Sequence, residues 1–487
     1  MGQFRQTRLE LVVRSRVIAY IIAHNYLTIM TSQYEPVRRL PNMLDFGPND
    51  LAARDWAEEK LRYIFGLRGY DRAETPILEQ TELYIRKSGG GLSSRLYDFS
   101  EPGGFDVSLR PEFTSAILRH AADNNTNDAP IRFMYDGPVF RYADSGDEDG
   151  DKTRQFTQLG AELIGPPAPS ADGEIIAMAL EGLEALGITG ARIVVGHVGV
   201  VLAALTEFNL SERAKLFLVS NIAELKNGQI DEVAEKAAAL GFITDVKIDD
   251  AQVVADRERL AATIEQVIAE GIGVQLGRNT GSRTPEEIIA RLTRKMSQAD
   301  NPEDFKRALE MFNKLAMING KTPDALAAGR KVLQEAGISA DPIANLSDVL
   351  SAAEVEGVRG ERISIDFGMA RGIAYYTGVL FDIYEGEATA ETLGGGGRYD
   401  GLTRALGYDR DVPALGFAFN LDAVIYALGA PPVSKDDLTL VSPAESGSMA
   451  AAIEKARELR ASGKRAAVDF QNSGSLSSNN ETDGQGG

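Results

Sequence analysis

Two stretches of the chain, 131–142 and 154–164, look like long strands joined by a polar loop, and this pattern constrains the fold more than any other feature. Such a loop makes the two an antiparallel pair, and side chains on a strand point to opposite faces in turn. Further strands are expected up to Pro76 and over 96–99, 105–109, 363–367, 379–384 and 414–419, with a glycine run before the last. From about 170 to 358 helical patterns dominate. Mainly antiparallel strands interrupted by one long helical insertion define an α+β domain.

The remaining boundaries follow from composition shifts. A chain of 487 residues with 44% hydrophobic content buries a sizeable core. Residues 1–36 form an N-terminal extension, with Met30 as a candidate start. The core runs over 37–190 and resumes over 359–430 after the mainly helical insertion at 191–358; its first helix is expected from Asn49 or Asp50 to Leu67. An α/β stub at 431–470 precedes a tail, 471–487, that is too polar to bury a core and is expected to be disordered. The apolar run at 9–31 is broken by Arg14, Arg16 and His24, which argues against a membrane span.

Charge and cysteine usage exclude several classes of function. The chain carries 51 basic and 71 acidic residues, a net charge of −20, so a polyanion such as tRNA would be repelled unless a strong basic patch were set apart from the rest. With no cysteine there is no disulfide, thiolate metal site or cysteine nucleophile, and a reducing cytoplasm is the expected compartment. The three histidines are too scattered for a zinc site, and neither metal nor cofactor is expected. His197, at a strand-to-helix transition, reads as a satisfied buried imidazole rather than a catalytic base.

The strand at 154–164, RQFTQLGAELI, places Gln158 and Glu162 on one face beside Gly160. An amide and a carboxylate so arranged suit a small ligand carrying an ammonium group and ring N–H donors; the plain alternative is a solvated strand face. Arg141 on the partner strand adds a cation suited to a carboxylate or phosphate. LRPEFT, at 109–114, offers Glu112 and Thr114 just after Pro111.

Five segments in order, LRPEFT, PVFRY at 138–142, RQFTQLGAE at 154–162, RGIAYYTGVLF at 371–381 and GGGGRYDGL at 394–402, resemble the signature of histidyl-tRNA synthetase and its paralogues. TPILEQTELY at 75–84 is similar to the dimer-forming first motif of class II synthetases. The resemblance covers about 37–425. It implies a class II aminoacyl-tRNA synthetase-like antiparallel sheet flanked by helices, and a homodimer. By position it implies that Glu112, Thr114, Arg141, Gln158, Glu162, Arg371, Tyr375 and Tyr376 surround histidine or its carboxylate.

The chain also departs from the synthetase pattern. Where that pattern ends in G-L-E-R, whose Arg engages the triphosphate, this chain reads Asn420, Leu421, Asp422 and Ala423. The synthetase Glu that receives the adenine amino group is replaced by Ala143, and five carboxylates crowd 144–151. Ala374 stands where the family usually has Asp. GGGGRYDGL lacks the GxxxxGK[ST] pattern of a phosphate cradle and is better taken as a sheet turn lining the amino-acid pocket.

Segments 192–205 and 282–292 are similar to the regulatory subunit of ATP phosphoribosyltransferase, a paralogue of the synthetase. That resemblance implies a non-catalytic chain that binds L-histidine, joins a short catalytic phosphoribosyltransferase chain in a hetero-oligomer, and makes it sensitive to histidine at the first step of histidine biosynthesis. Two alternatives stay open: an active histidine–tRNA ligase, and a different amino-acid sensor or ligase on the same fold.

Overall fold

The computed structural model describes residues 36–86, 90–124, 130–143, 153–240, 242, 300–369, 376–386, 392–429 and 438–470. Nearly all of the expected N-terminal extension, the acidic loop, the segment 282–292, Arg371, Ala374, Tyr375 and the tail lie outside those residues. The chain divides into two units, residues 1–45 with 143–155, and 46–142 with 156–487. In the smaller unit the Arg154 backbone N–H donates to Asn42 O at 2.8 Å, and its Nε and Nη2 donate to the Ala143 carbonyl at 3.0 and 2.7 Å.

Numbered along the chain, the strands are β1 (Asp71–Arg72), β2 (Leu78–Gln80), β3 (Asp98–Ser100), β4 (Asp106–Leu109), β5 (Ile131–Phe140), β6 (Gln155–Ile164) and β7 (Arg192–His197). They continue with β8 (Asn319–Lys321), β9 (Ile363–Asp366), β10 (Val379–Tyr384), β11 (Gly394–Arg398), β12 (Ala414–Asn420), β13 (Thr439–Val441) and β14 (Ala466–Val468). Nine of them form one sheet in the order β1-β5-β6-β12-β11-β10-β7-β9-β8. From β6 through β12, β11 and β10 to β7 the pairs are antiparallel; β1 runs parallel to β5, and β9 to β7. The mixed, mainly antiparallel sheet flanked by helices is the expected α+β class. The segment 191–358 is helical over its described residues except for β7 and β8, which both lie in this sheet.

Alternation along β6 and β12 divides the sheet into a packed face and a site face. Leu159, Ala161 and Leu163, with Leu415, Phe417 and Phe419, enter the main core. Long helices contribute to that core, among them α1 (Pro48–Leu67), α2 (Pro169–Leu186) and α3 (Asp341–Val355). Phe65 of α1 meets Phe417 edge-on, with centroids 5.6 Å apart. Each such fully buried Phe is worth about 1.5–3 kcal/mol of transfer free energy, so this side anchors the strands. The opposite face carries a smaller cluster in which Phe113, Ile117 and Leu118 pack on Tyr135, Val139 and Tyr399. Ile117 and Leu118 belong to the helix Thr114–Asn124. That helix thus covers the sheet face on which Gln158 and Glu162 lie.

His197 closes β7 and caps the helix Val198–Thr206: its Nδ1 accepts from Val200 N at 3.2 Å while Nε2 faces Asn345 Oδ1 at 3.2 Å. Burial pushes its pKa down to about 4, so the ring is neutral with its proton on Nε2. At the other end, β13 and β14 pair in parallel around the helix Met449–Ala461, with a small core of Val441, Ala452, Ala456 and Ala466. Among the described residues no helix is long and apolar enough to cross a membrane.

Candidate functional site

Glu162 is the centre of the site. Its residue is 1% exposed, and both carboxylate oxygens are taken by hydroxyls. Oε1 accepts from Thr114 Oγ1 at 2.7 Å and Tyr135 OH at 2.9 Å, and Oε2 accepts from the Tyr399 hydroxyl. Burial drives its pKa up to about 7; the three hydroxyls pull it back, and the nearby Glu112 carboxylate adds to the rise.

Glycines make the room for this arrangement. Gly416 is the register partner of Glu162 on β12, and a Cβ there would collide with the Glu162 carboxylate. A Cβ at Gly160 would meet Tyr135 OH at 2.8 Å and the backbone of β12.

The other expected residues take distinct places. Gln158, four residues before Glu162 on β6, is buried, and its Oε1 has no hydrogen-bond partner. Such an atom costs about 1–3 kcal/mol while it stays unpaired, which points to a donor arriving from a ligand. Glu112 accepts from Ser115 N at 3.1 Å and so caps the helix that Thr114 opens. Burial raises its pKa, while Ser115 and Arg141 lower it. Arg141 Nε donates to Pro111 O at 2.9 Å, and its guanidinium lies 5.1 Å from the Phe156 ring centroid.

Tyr376 abuts Gly397, where a Cβ would stand 2.9 Å from its Cδ1. Gly397 pairs with Gly416, so Tyr376 approaches the site across two strands. Arg371 and Tyr375 lie outside the described residues. Tyr135 and Tyr399 are site residues that sequence reasoning did not single out. Tyr399 sits inside GGGGRYDGL, and the β11–β12–β6 register was the missing step; Tyr135 lies in the strand at 131–142, with no local signal that its hydroxyl reaches Glu162.

Chemically, the site floor is built to accept hydrogen bonds. The hydroxyl protons of Thr114, Tyr135 and Tyr399 are spent on Glu162, so their oxygens retain only acceptor capacity. Together with Gln158 Oε1 and Glu112 they suit a ligand rich in N–H donors. Among the described residues no group of three His, Cys, Asp or Glu could hold a metal ion.

The two alanines that depart from the synthetase pattern each sit within their own unit. Ala423 is buried in the first turn of the helix Leu421–Leu428, and its N–H is bound by Asn420 Oδ1 at 3.3 Å. Asp422 turns away to pair with Arg54 and to accept from Thr157 N at 3.3 Å. Arg54 in turn donates to Thr157 Oγ1 at 2.6 Å and stacks 3.7 Å over Phe46. Ala143 is buried and offers only its carbonyl, which Arg154 occupies.

Comparison with known proteins gives a consistent family. The family profile described as histidyl-tRNA synthetase matches residues 42–271 and 284–424. The histidine–tRNA ligase of Methanoregula boonei is 31% identical over 437 residues, 88% of this chain and 84% of that protein. That of Methanocaldococcus jannaschii is 28% identical over 398 residues, 82% and 77% of the two chains. Among solved structures, a Bacillus halodurans protein described as an ATP phosphoribosyltransferase regulatory subunit/histidyl-tRNA synthetase superposes with a TM-score of 0.61 at 24% identity, covering 91% of this chain and 96% of that one. The histidyl-tRNA synthetase of Nostoc gives a TM-score of 0.58 at 19% identity, covering 91% and 88%. Both structural likenesses bear on the fold alone, but the profile match over most of the chain settles its membership: this protein belongs to the histidyl-tRNA synthetase family.

Proposed function

We propose that this chain binds free L-histidine on the face around Glu162 without activating it, and serves as the regulatory subunit of an ATP phosphoribosyltransferase. The observation that carries the first half is the buried, unpaired Gln158 Oε1 on the same face of β6 as the hydroxyl-capped Glu162, an acceptor surface suited to an ammonium group and an imidazole N–H. The second half rests on Ala423 and Ala143, which offer no side-chain contact to a triphosphate or an adenine. Adenylate formation depends on charge stabilisation of phosphates, so losing an Arg clamp costs several kcal/mol of barrier.

The second function, histidine–tRNA ligase, is the name carried by the curated relatives, and similarity alone speaks more strongly for it. Against it stand the two alanines and the −20 net charge. Pyrophosphate exchange with histidine and ATP separates the two functions, and co-purification with a short catalytic phosphoribosyltransferase chain tests the partner. Self-association would use the small sheet β2-β4-β3, where Leu78 and Phe99 are exposed.

A further inference from the structure

We infer that Arg110 is a positioning residue for Glu162, acting through the stacked rings of Phe113 and Tyr135. Only the ligand arm of its test rests on the proposed histidine binding; the carboxyl arm does not.

Arg110 is 3% exposed, and among the described residues no carboxylate pairs with it. Its Nε donates to Pro138 O and its Nη1 to Thr75 O, both at 2.8 Å. Burial alone lowers its pKa. A buried guanidinium without a paired carboxylate is costly; two carbonyls and one aromatic face contact it here, and Tyr84, Glu74 and Asp136 act on it through their charge. The guanidinium carbon lies 4.0 Å from the Phe113 ring centroid.

The Phe113 ring stacks on Tyr135, with centroids 4.5 Å apart and planes 13° from parallel. At those spacings the two neighbours must occupy opposite faces of Phe113. Tyr135 then donates to Glu162 Oε1 at 2.9 Å. Gly137 completes the arrangement, since a Cβ there would stand 2.6 Å from Arg110 Nη2 and 3.2 Å from Phe113 Cζ.

The consequence is a chain of rigid contacts from a cation to a carboxylate. Arg110 ties the segment before Pro76 and strand β5 to the tip that carries Glu112 and Thr114. It also pins Phe113, which leaves the Tyr135 hydroxyl one place to point. Without it Tyr135 loosens, and Glu162 keeps two donors instead of three; a carboxylate that loses a donor holds its proton more tightly.

The test follows the Glu162 carboxyl in the full-length, ligand-free chain by carbon-13 NMR of labelled glutamate, assigned with Glu162→Gln. Arg110→Met and Phe113→Leu should each raise its titration midpoint by about half a pH unit or more, whereas Phe113→Tyr should leave it in place. In a Tyr135→Phe background Arg110→Met should add nothing further. An unmoved midpoint in both Arg110→Met and Phe113→Leu overturns the inference, as does a full additional shift in the Tyr135→Phe background. If Arg110→Met does not fold, Phe113→Leu decides alone. L-histidine affinity, by calorimetry, should weaken in the same two variants. A wild-type chain that binds no histidine would refute the proposed function, and the titration would still decide the role of Arg110.

Discussion

Glu162 and Gly416 face each other across the β6–β12 pair, and the carboxylate of the first fills the space where the second has no side chain. Gly416→Ala would place a methyl against that carboxylate and against the Ala161 carbonyl. Overpacking of this kind costs about 1–3 kcal/mol. The expected outcome is a lower urea midpoint together with loss of histidine binding. A variant that keeps both at the wild-type level would mean that the Glu162 side chain has freedom to move aside.

Titration of Glu162 should be visible in the stability of the protein. Its pKa is raised from 4.5 to about 7 in the folded chain, so between those values the folded state holds a proton that the unfolded chain has released. Stability from this group is therefore complete below about pH 4.5 and is lost as pH rises towards 7, a change on the order of 3 kcal/mol. Glu162→Gln cannot titrate and should flatten that window. Chemical denaturation from pH 4.5 to 8 measures it, and parallel curves for the two proteins would contradict the assignment.

Gln158 should trade stability against binding. Because its Oε1 is buried and unpaired in the free chain, Gln158→Leu removes an unsatisfied acceptor and should leave the melting temperature unchanged or higher. Histidine affinity should fall by about tenfold or more, the equivalent of one lost hydrogen bond of roughly 1.4 kcal/mol. A destabilised variant with intact affinity would show that the amide serves the fold rather than a ligand.

What the sequence revealed and what it hid differ in kind. Period-two alternation placed Gln158 and Glu162 on one face, and that is where β6 puts them, because strand geometry leaves a side chain only two directions. Neighbouring strands were harder to read. Nothing local says that β12 lies beside β6, so the partnership of Glu162 with Gly416 and Tyr399 stayed hidden until the register was known. Tyr135 was hidden for another reason: its ring packs in a core cluster while its hydroxyl does polar work, and an apolar pattern reports only the ring. The sequence marked a strand-to-helix transition at His197, but nothing local said that the strand at 192–197 joins the central sheet beside β10 rather than belonging to the helical insertion around it.

The nucleotide side can be probed by restoration. If ATP contacts were lost at Ala423 and Ala143, then Ala423→Arg combined with Ala143→Glu should bring back measurable ATP binding, while the histidine contacts of Glu162 and Gln158 stay unchanged. Adenylate formation should remain weak, because the carboxylates at 144–151 still oppose a polyanion that salt only partly screens. No ATP binding in calorimetry, even after those carboxylates are neutralised, would show that the correspondence of these two positions to the nucleotide contacts is wrong.

Recognition of histidine without its activation is read out by histidine-dependent exchange of labelled pyrophosphate into ATP by the wild-type chain, run on a sample whose histidine binding is measured by calorimetry. Histidine should bind saturably, with no exchange above the enzyme-free background. Exchange that depends on histidine would contradict recognition without activation, and would make the chain a working activating enzyme despite Ala143 and Ala423.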